Sequence, residues 1–436
     1  RLVAAAAEKV VVDVSFLPDP LRQELAGVGE VDVLVGIPSY NNAGTIGHVV
    51  RAVQGGLAKY FPDCRALLVN SDGGSRDGTP EVVREASVGS FDTILAAHPL
   101  RAVHRIVTPY HGIPGKGSAL RTVFAAAALT GARACAVVDS DLRSVTPEWI
   151  DLLVTPVLRR GFDFVAPLYH RHKYDGTITN SIVYPLTRAL YGARVRQPIG
   201  GDFGFSGRIA EHYLGHDVWS SDVARYGIDV WMTTTAISDS FKVGQSFLGA
   251  KIHDAKDPSV DLSDMLVQVA GAVLALMAEH PERWRSVTGS SPVPTFGFEY
   301  AVGVEPVPVN LARMLDRFRT GARELRPVWE GALDPRTWSE VARVAAAPDV
   351  AFTFPAECWV RVVYDFAIAY RRGRIDREHL LRSLTPLYLG RTAAFVIETG
   401  EASAADVEGM IERLCQQFEG DKPYLIERWN EIGGGP

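Results

Sequence analysis

The 436-residue sequence has few of the features that mark secreted, membrane or metal-cluster proteins. Its four cysteines, Cys64, Cys135, Cys358 and Cys415, stand singly. With no C-x-x-C pair, a zinc-finger pattern and a disulfide framework are both excluded, and a reducing compartment suits the chain. No apolar run approaches the roughly 20 residues of a membrane-spanning helix. The longest, "VFAAAALTGARACAVV", is broken by Gly131 and Arg133. A formal net charge of −6 offers no basic field for nucleic acid or anionic lipid. The opening residues hold no apolar segment followed by a small-residue cleavage site, so the expected location is cytoplasmic. There is no repeat period and no low-complexity tract.

What remains is ordinary globular material, 47% hydrophobic and 22% charged, long enough for two domains. The first part alternates. A β-branched run over 31–37 ends at Pro38 and the polar turn Ser39-Tyr40-Asn41-Asn42, as in a strand buried on both faces of a parallel sheet. A helix is predicted over 45–61, a strand over 65–70, a helix over 80–86 and a strand over 104–110. A helix over 119–129, a strand over 134–139 and a helix over 147–160 complete the series. Four strand–loop–helix cycles predict an open α/β sheet with right-handed crossovers. In such sheets ligands bind beyond the carboxyl ends of the strands, where the unusual loops 38–42, 70–79, 111–118 and 139–143 all fall.

The alternation loosens between 160 and 260, where a strand leads into a polar loop near 170 and a turn, short strand and helix follow near 197–214. From Ser263 onward the pattern is helical, over 264–280, 308–333, 357–373, 377–399 and 404–420. The fold class read from this is α/β with a mainly parallel sheet. An α/β domain over 1–262 is followed by an α-helical C-terminal domain over 263–436.

Four motifs carry chemistry. Asp139-Ser140-Asp141 ends a buried strand just before a helix. It reads either as a helix cap or as a pair of oxygen ligands for a divalent cation shared with a diphosphate. In "PGKGSAL" (114–120), glycines let the backbone approach a phosphate and Lys116 supplies a point charge. It is not a Walker A loop, and no G-x-G-x-x-G follows a strand. In "NSDGGSRDGT" (70–79), Asp77 reads as a structural cap, while Asp72 at the strand exit reads as a hydrogen-bonding contact to a base. His253, in "GAKIHDAKD", is a lone histidine after an apolar stretch.

In this order, with "IPSYNNAGTI", "VVDSDL", "QPIGGDF" and "YGIDVWMTT", these stretches resemble nucleotide-sugar glycosyltransferases of the GT-A fold. Within that superfamily the closer likeness is to retaining mannosylglycerate synthases, and less closely to glucosyl-3-phosphoglycerate synthases. The resemblance covers about residues 31–258. It implies nucleotide-sugar binding by Pro38, Tyr40, Asn42, Asp72, Gly115, Lys116, Asp139, Ser140, Gln197, Gly200 and Gly201. It implies Asp141 and His253 as ligands of a cofactor Mg²⁺ or Mn²⁺. Asp202 and Asp229 would lie near the sugar or reacting centre, with no base assigned.

For the acceptor, the resemblance implies Arg171, Asp175 and Thr179, spaced four apart. A guanidinium clamps a carboxylate bidentately, while the other two fix hydroxyls. Thr177 stands where the phosphoglycerate enzymes carry an arginine, which favours D-glycerate or a similar small hydroxy acid. The implied partners are thus a GDP- or UDP-hexose and a small carboxylate acceptor, with no nucleic acid and no membrane span. A homo-oligomer stays open.

The implied chemistry is hexosyl transfer in which the acceptor hydroxyl attacks the face that the diphosphate vacates. An inverting enzyme would instead need a carboxylate base, for which Asp202, Asp222 and Asp229 are the candidates. Two rival classes remain. A sugar-1-phosphate nucleotidyltransferase would carry a Gly-rich lysine loop on the first strand, where this chain has "PSYNNAGT". A nucleotide-binding scaffold would be expected to lose Asp141 or His253, and both are present.

Overall fold

The computed structural model describes residues 12–86, 104–109, 114–253, 262–300 and 302–433. Tyr110 of the predicted strand, residues 111–113 of the predicted loop and the part of "GAKIHDAKD" after His253 lie outside them. The chain forms two compact units, one from Arg1–Val165 with Gly201–Arg225, the other from Ala166–Gly200 with Tyr226–Pro436. They divide the chain at other points than the change from mixed to helical structure at 262/263.

The first unit holds helix α1 (Asp19–Val28), strand β1 (Val33–Ser39), α2 (Ile46–Tyr60), β2 (Ala66–Asp72), α3 (Thr79–Glu85) and β3 (His104–Pro109). It continues with α4 (Lys116–Leu129), β4 (Ala134–Val137) and α5 (Pro147–Arg160), and the chain leaves it within β5 (Phe164–His170). Strands β1, β2, β3 and β4 pair in parallel, with β1 between β2 and β4. Every residue of β1 is buried, the continuous apolar strand that helices on both faces of a sheet produce. Helix α4 lies so close to β1 that a side chain on Gly36 would meet Val123 at 2.6 Å.

The short strand expected near 197–214 is β7 (Phe203–Ser206), which enters antiparallel to β4 and to the first residues of β5. It leads into α7 (Gly207–Leu214), capped by the Ser206 hydroxyl accepting from the Ile209 N–H. The expected α/β class with a mixed, mainly parallel sheet is the observed one. Strand positions agree with the predicted ones to within about two residues.

The second unit takes the rest of β5 and a π-helical turn over Thr179–Val183 that runs into α6 (Tyr184–Tyr191). Next come β6 (Ala193–Arg194), α8 (Ile228–Ser238) and β8 (Val243–Ala250). Helix α9 (Ser263–Glu279), α10 (Pro281–Arg285) and two short strands, β9 (Ser291–Pro292) and β10 (Thr295–Phe296), follow. The remainder is α11 (Leu311–Glu324), α12 (Arg326–Ala332), α13 (Pro335–Ala346), α14 (Ala356–Arg372), α15 (Arg377–Thr399), α16 (Ala404–Gly420) and α17 (Lys422–Gly433). Pro327 at the start of α12 splits the single long helix that periodicity suggests over 308–333. Helices α15 and α16 match their predicted spans residue for residue.

One core runs through this unit, joining Ile178, Val183 and Leu190 to Val230, Leu266, Phe318, Trp359 and Trp429. Three of its indoles find acceptors: Trp284 donates to Met277 O, Trp329 to Ser383 O and Trp359 to Ser181 O, while the buried Trp429 N–H has none among the described residues. No helix among the described residues is long and apolar enough to cross a membrane. All four cysteines are free.

Candidate functional site

In the first unit, loops at the carboxyl ends of β1, β2 and β4 are tied together by polar side chains. The Asn41 N–H donates to Ser75 Oγ (2.8 Å), and the Asn42 N–H to Thr79 Oγ1 (2.8 Å). Asp77 accepts from Thr79 and from the Ala43 N–H. The Thr79 hydroxyl first, then the Ala43 amide, holds its carboxyl below the usual range. Asp77 therefore braces the loop, as its sequence context suggested. Asn42 Oδ1 accepts from the Tyr40 N–H at 3.0 Å and from the Ser140 hydroxyl at 2.8 Å. Thr45 donates to Ser140 O at 2.8 Å, so the β4 turn is fixed from two directions.

Asp72 differs from expectation. Its Oδ1 accepts from the Ser39 and Ser75 hydroxyls (2.9 and 2.6 Å), its Oδ2 from the Gly74 and Ser75 N–H groups (2.9 and 2.8 Å). A carboxylate offers about four acceptor positions, and four are taken. Asp72 shapes the loop rather than presenting a free acceptor to a base. Exposed Tyr40 and the polar backbone of 38–42 are what the rim offers instead.

At the β4 terminus the Lys116 ammonium pairs with Asp139 at 2.8 Å and donates to Gly201 O at 3.0 Å. The Asp139 N–H donates to Oδ1 of fully buried Asp202 at 2.7 Å. Lys116 is the first residue of α4, with Gly115 at its N-cap, so the helix N-terminus adds its partial positive charge there. The segment after α7 packs onto this start. The Gly117 N–H donates to Arg225 O, and a Cβ on Gly117 would lie 1.9 Å from Val223 O. A Cβ on Gly115 would meet Ala224 O at 2.6 Å. Gly117→Ala is therefore expected to push 223–225 off the loop. A lower Tm in thermal unfolding would reveal it; an unchanged Tm would show that the segment yields freely.

Asp141 stands apart from this network. It is half-buried and makes no hydrogen bond or ion pair with any described residue. An unbalanced carboxylate at a strand end, beside a fully engaged one, is suited to a hard cation.

The second unit carries the other predicted residues. The Arg171 guanidinium lies over the Tyr169 ring, 5.3 Å from its centroid, and makes no hydrogen bond with a described residue. A side chain on Gly176, whose φ is +74°, would lie 3.3 Å from Arg171 Nη1 and 3.9 Å from Thr179 Oγ1, so arginine and threonine converge there. Asp175 instead faces His253, with Oδ2 3.7 Å from Nε2. Thr177 turns inward: it is 3% exposed and its hydroxyl meets Tyr388 Oη on α15. Thr179 opens the π-helical turn, a backbone irregularity common at functional sites. Gln197 is buried and donates to Tyr169 O at 2.9 Å. Asp229 is buried in the first turn of α8.

No protein family matches the chain, and no curated protein matches it. Among solved structures it is similar to glucosyl-3-phosphoglycerate synthase from Mycobacterium tuberculosis in complex with Mg²⁺ and UDP. That match has 20% identity over 60% of this chain and 84% of that one, with a TM-score of 0.42. The same enzyme with Mn²⁺, UDP-glucose and phosphoglyceric acid gives 21% identity, 62% and 87% coverage and a TM-score of 0.41. A mycobacterial protein matches at 20% identity, 60% and 79% coverage and 0.41.

One residue escaped the sequence reading. Lys251 is 9% exposed, lies 5.2 Å from the Tyr169 ring centroid and donates to Gly200 O at 2.7 Å. Gly200 itself leaves no room for a side chain, since a Cβ would meet Pro167 at 2.1 Å. A lysine directly after the apolar stretch "FLGA", two residues before His253, was the available signal, because lysine is almost never buried without a partner.

Proposed function

We propose that the protein is a glycosyltransferase that moves a hexose from a nucleoside-diphosphate sugar to D-glycerate or a similar small hydroxy acid. The observation that carries this reading is the knot of Lys116, Asp139, Gly201 and Asp202 beside unpartnered Asp141. It combines a helix N-terminus and a lysine for a diphosphate with a carboxylate for a cation.

Asp141 is the residue we propose as a ligand of Mg²⁺ or Mn²⁺. The ion, when bound, neutralises charge on the departing diphosphate. Of the second expected ligand, His253, the reading keeps only its place beside Asp175. Lys116 is shared with Asp139, so it offers a pre-oriented ammonium held against Gly201. Preorganised positive charge of this kind stabilises a leaving group without reorganising. Gly200 and Gly201 would let the sugar approach backbone, and Asp202, engaged by the Asp139 amide, would position rather than deprotonate.

On the acceptor side, Arg171 has an uncommitted guanidinium backed by an aromatic face, which suits a bidentate carboxylate. Thr179 and Asp175 are polar neighbours for its hydroxyls. Transfer forms the acceptor O–C1 bond and breaks the C1–diphosphate bond. The acceptor proton passes to the departing diphosphate with retention, so no protein base is required.

The test is a turnover panel of GDP-mannose, GDP-glucose, UDP-glucose and ADP-glucose, with and without Mg²⁺ or Mn²⁺. D-glycerate and 3-phosphoglycerate serve as acceptors. Metal-dependent release of a nucleoside diphosphate with D-glycerate is expected. Release with 3-phosphoglycerate alone would overturn the glycerate assignment, and no release with any pair would overturn the transferase reading.

A further inference from the structure

At the end of α7, His212 and His216 stand four residues apart, and their Nε2 atoms lie 3.3 Å from each other. The two rings meet edge to face, with centroids 4.9 Å apart and an interplanar angle of 79°. Both side chains are only partly buried, so solvent reaches them. Neither belongs to the donor or acceptor residues described above.

Two imidazole nitrogens at this distance fit one bridging proton or one metal ion. Zinc–imidazole bonds of about 2.0–2.1 Å at a tetrahedral angle place two nitrogens about 3.3–3.4 Å apart. A right-angled, square-planar ion with bonds of that length would need about 2.9 Å. The observed separation therefore has the bite of a tetrahedral ion. Residues four apart on a helix share a face, and His216, just past the last turn, keeps that relation.

We propose that His212 and His216 form a binding site for a borderline divalent transition-metal ion of the zinc class, separate from the cation assigned to Asp141. Both Nε2 atoms bind the ion as neutral donors, each ring keeping its proton on Nδ1. The ion clips the end of α7 to the start of the 215–225 segment. That segment covers the α4 N-terminus through Val223, Ala224 and Arg225, so the clip braces the wall behind Gly115 and Gly117.

The test is calorimetric titration of the full chain with Zn²⁺ in millimolar Mg²⁺, which fills oxygen-ligand sites. One equivalent is expected to bind with a micromolar Kd and to raise the Tm. His212→Ala and His216→Ala should each weaken Zn²⁺ binding at least tenfold, while His253→Ala leaves it unchanged. His212→Gln and His216→Gln give the same reading if an alanine variant fails to fold. Unchanged Zn²⁺ affinity in the His212 and His216 variants, loss of binding only in His253→Ala, or no binding below millimolar Zn²⁺ would each overturn the site.

Discussion

Replacing Asp141 with alanine is expected to lower kcat/KM for sugar transfer by about 10³-fold, the scale on which a transition-state charge contact acts. The Tm should stay within about a degree. These two expectations together make the test decisive. Asp141 contributes no hydrogen bond or ion pair to any described residue, so its removal takes nothing from the folded network. Asp139→Ala is the contrasting case, because it frees Lys116 and costs the fold a partner for it. Steady-state kinetics with Mn²⁺ and electron paramagnetic resonance of bound Mn²⁺ would check the prediction. An Asp141→Ala variant that keeps activity within a few-fold, with unchanged Mn²⁺ affinity, would remove the cation from the proposed chemistry.

The second large effect concerns stability. Arg188, on α6, is completely buried, and its guanidinium reaches Glu412 through two nitrogens and Glu419 through Nε (3.0 Å). Glu419 also accepts from Ser290. Burial lowers the affinity of Arg188 for its proton, but Glu412 and Glu419 outweigh it and hold the group charged. Arg188→Met fills the space without the charge and leaves two carboxylates facing an apolar surface. Breaking a buried pair from one side costs about 3–5 kcal/mol. Because Glu412 is 41% exposed and can turn to water, a loss at the lower end, about 3 kcal/mol, is expected from urea denaturation at pH 7.

The pH dependence has a definite sign. The Arg188 hydrogen bond holds the Glu412 carboxyl below its ordinary value. Its contribution is present above the unfolded pKa and is lost as the pH falls through the folded one. The gap between wild type and Arg188→Met should therefore narrow below about pH 4.5. A loss under about 1 kcal/mol at neutral pH would mean that the pair behaves like a surface ion pair.

Much of this architecture was legible in the residues because it is local. Strand β1, buried along its length, shows itself as a β-branched run, and α15 and α16 show themselves as periodic stripes. The short strand at β7 was expected, but its partner was not legible, because four residues, "FGFS", carry no period and their pairing with β4 is made across 66 or more positions. The candidate residues divide in the same way. Arg171 and Thr179 do converge, since a turn around Gly176 brings them together within one loop. Thr177, two residues from Thr179 and six from Arg171, points elsewhere because Tyr388, 211 residues on, supplies its hydroxyl partner. Asp72 looked like a ligand contact because it stands at a strand exit. The loop folds back so that its own amides consume the carboxylate. Long-range partners and loop closure are set by the whole chain, and no window of sequence contains them.

The chain passes between the two compact units at 165/166, 200/201 and 225/226. During synthesis, the first unit therefore cannot be completed when its 165th residue emerges, because β7 and α7 arrive only after a stretch committed to the other unit has been made. Nor is the helical region after 262 an exchangeable cassette. Ile178, Val183, Leu190 and Val230, all encoded before it, are packed into the core that those helices build. Cutting the gene at that point would leave a ribosome product with bare apolar surface, prone to aggregate. Recombination that swaps such tails between relatives would have to carry residues 166–200 and 226–262 along with them.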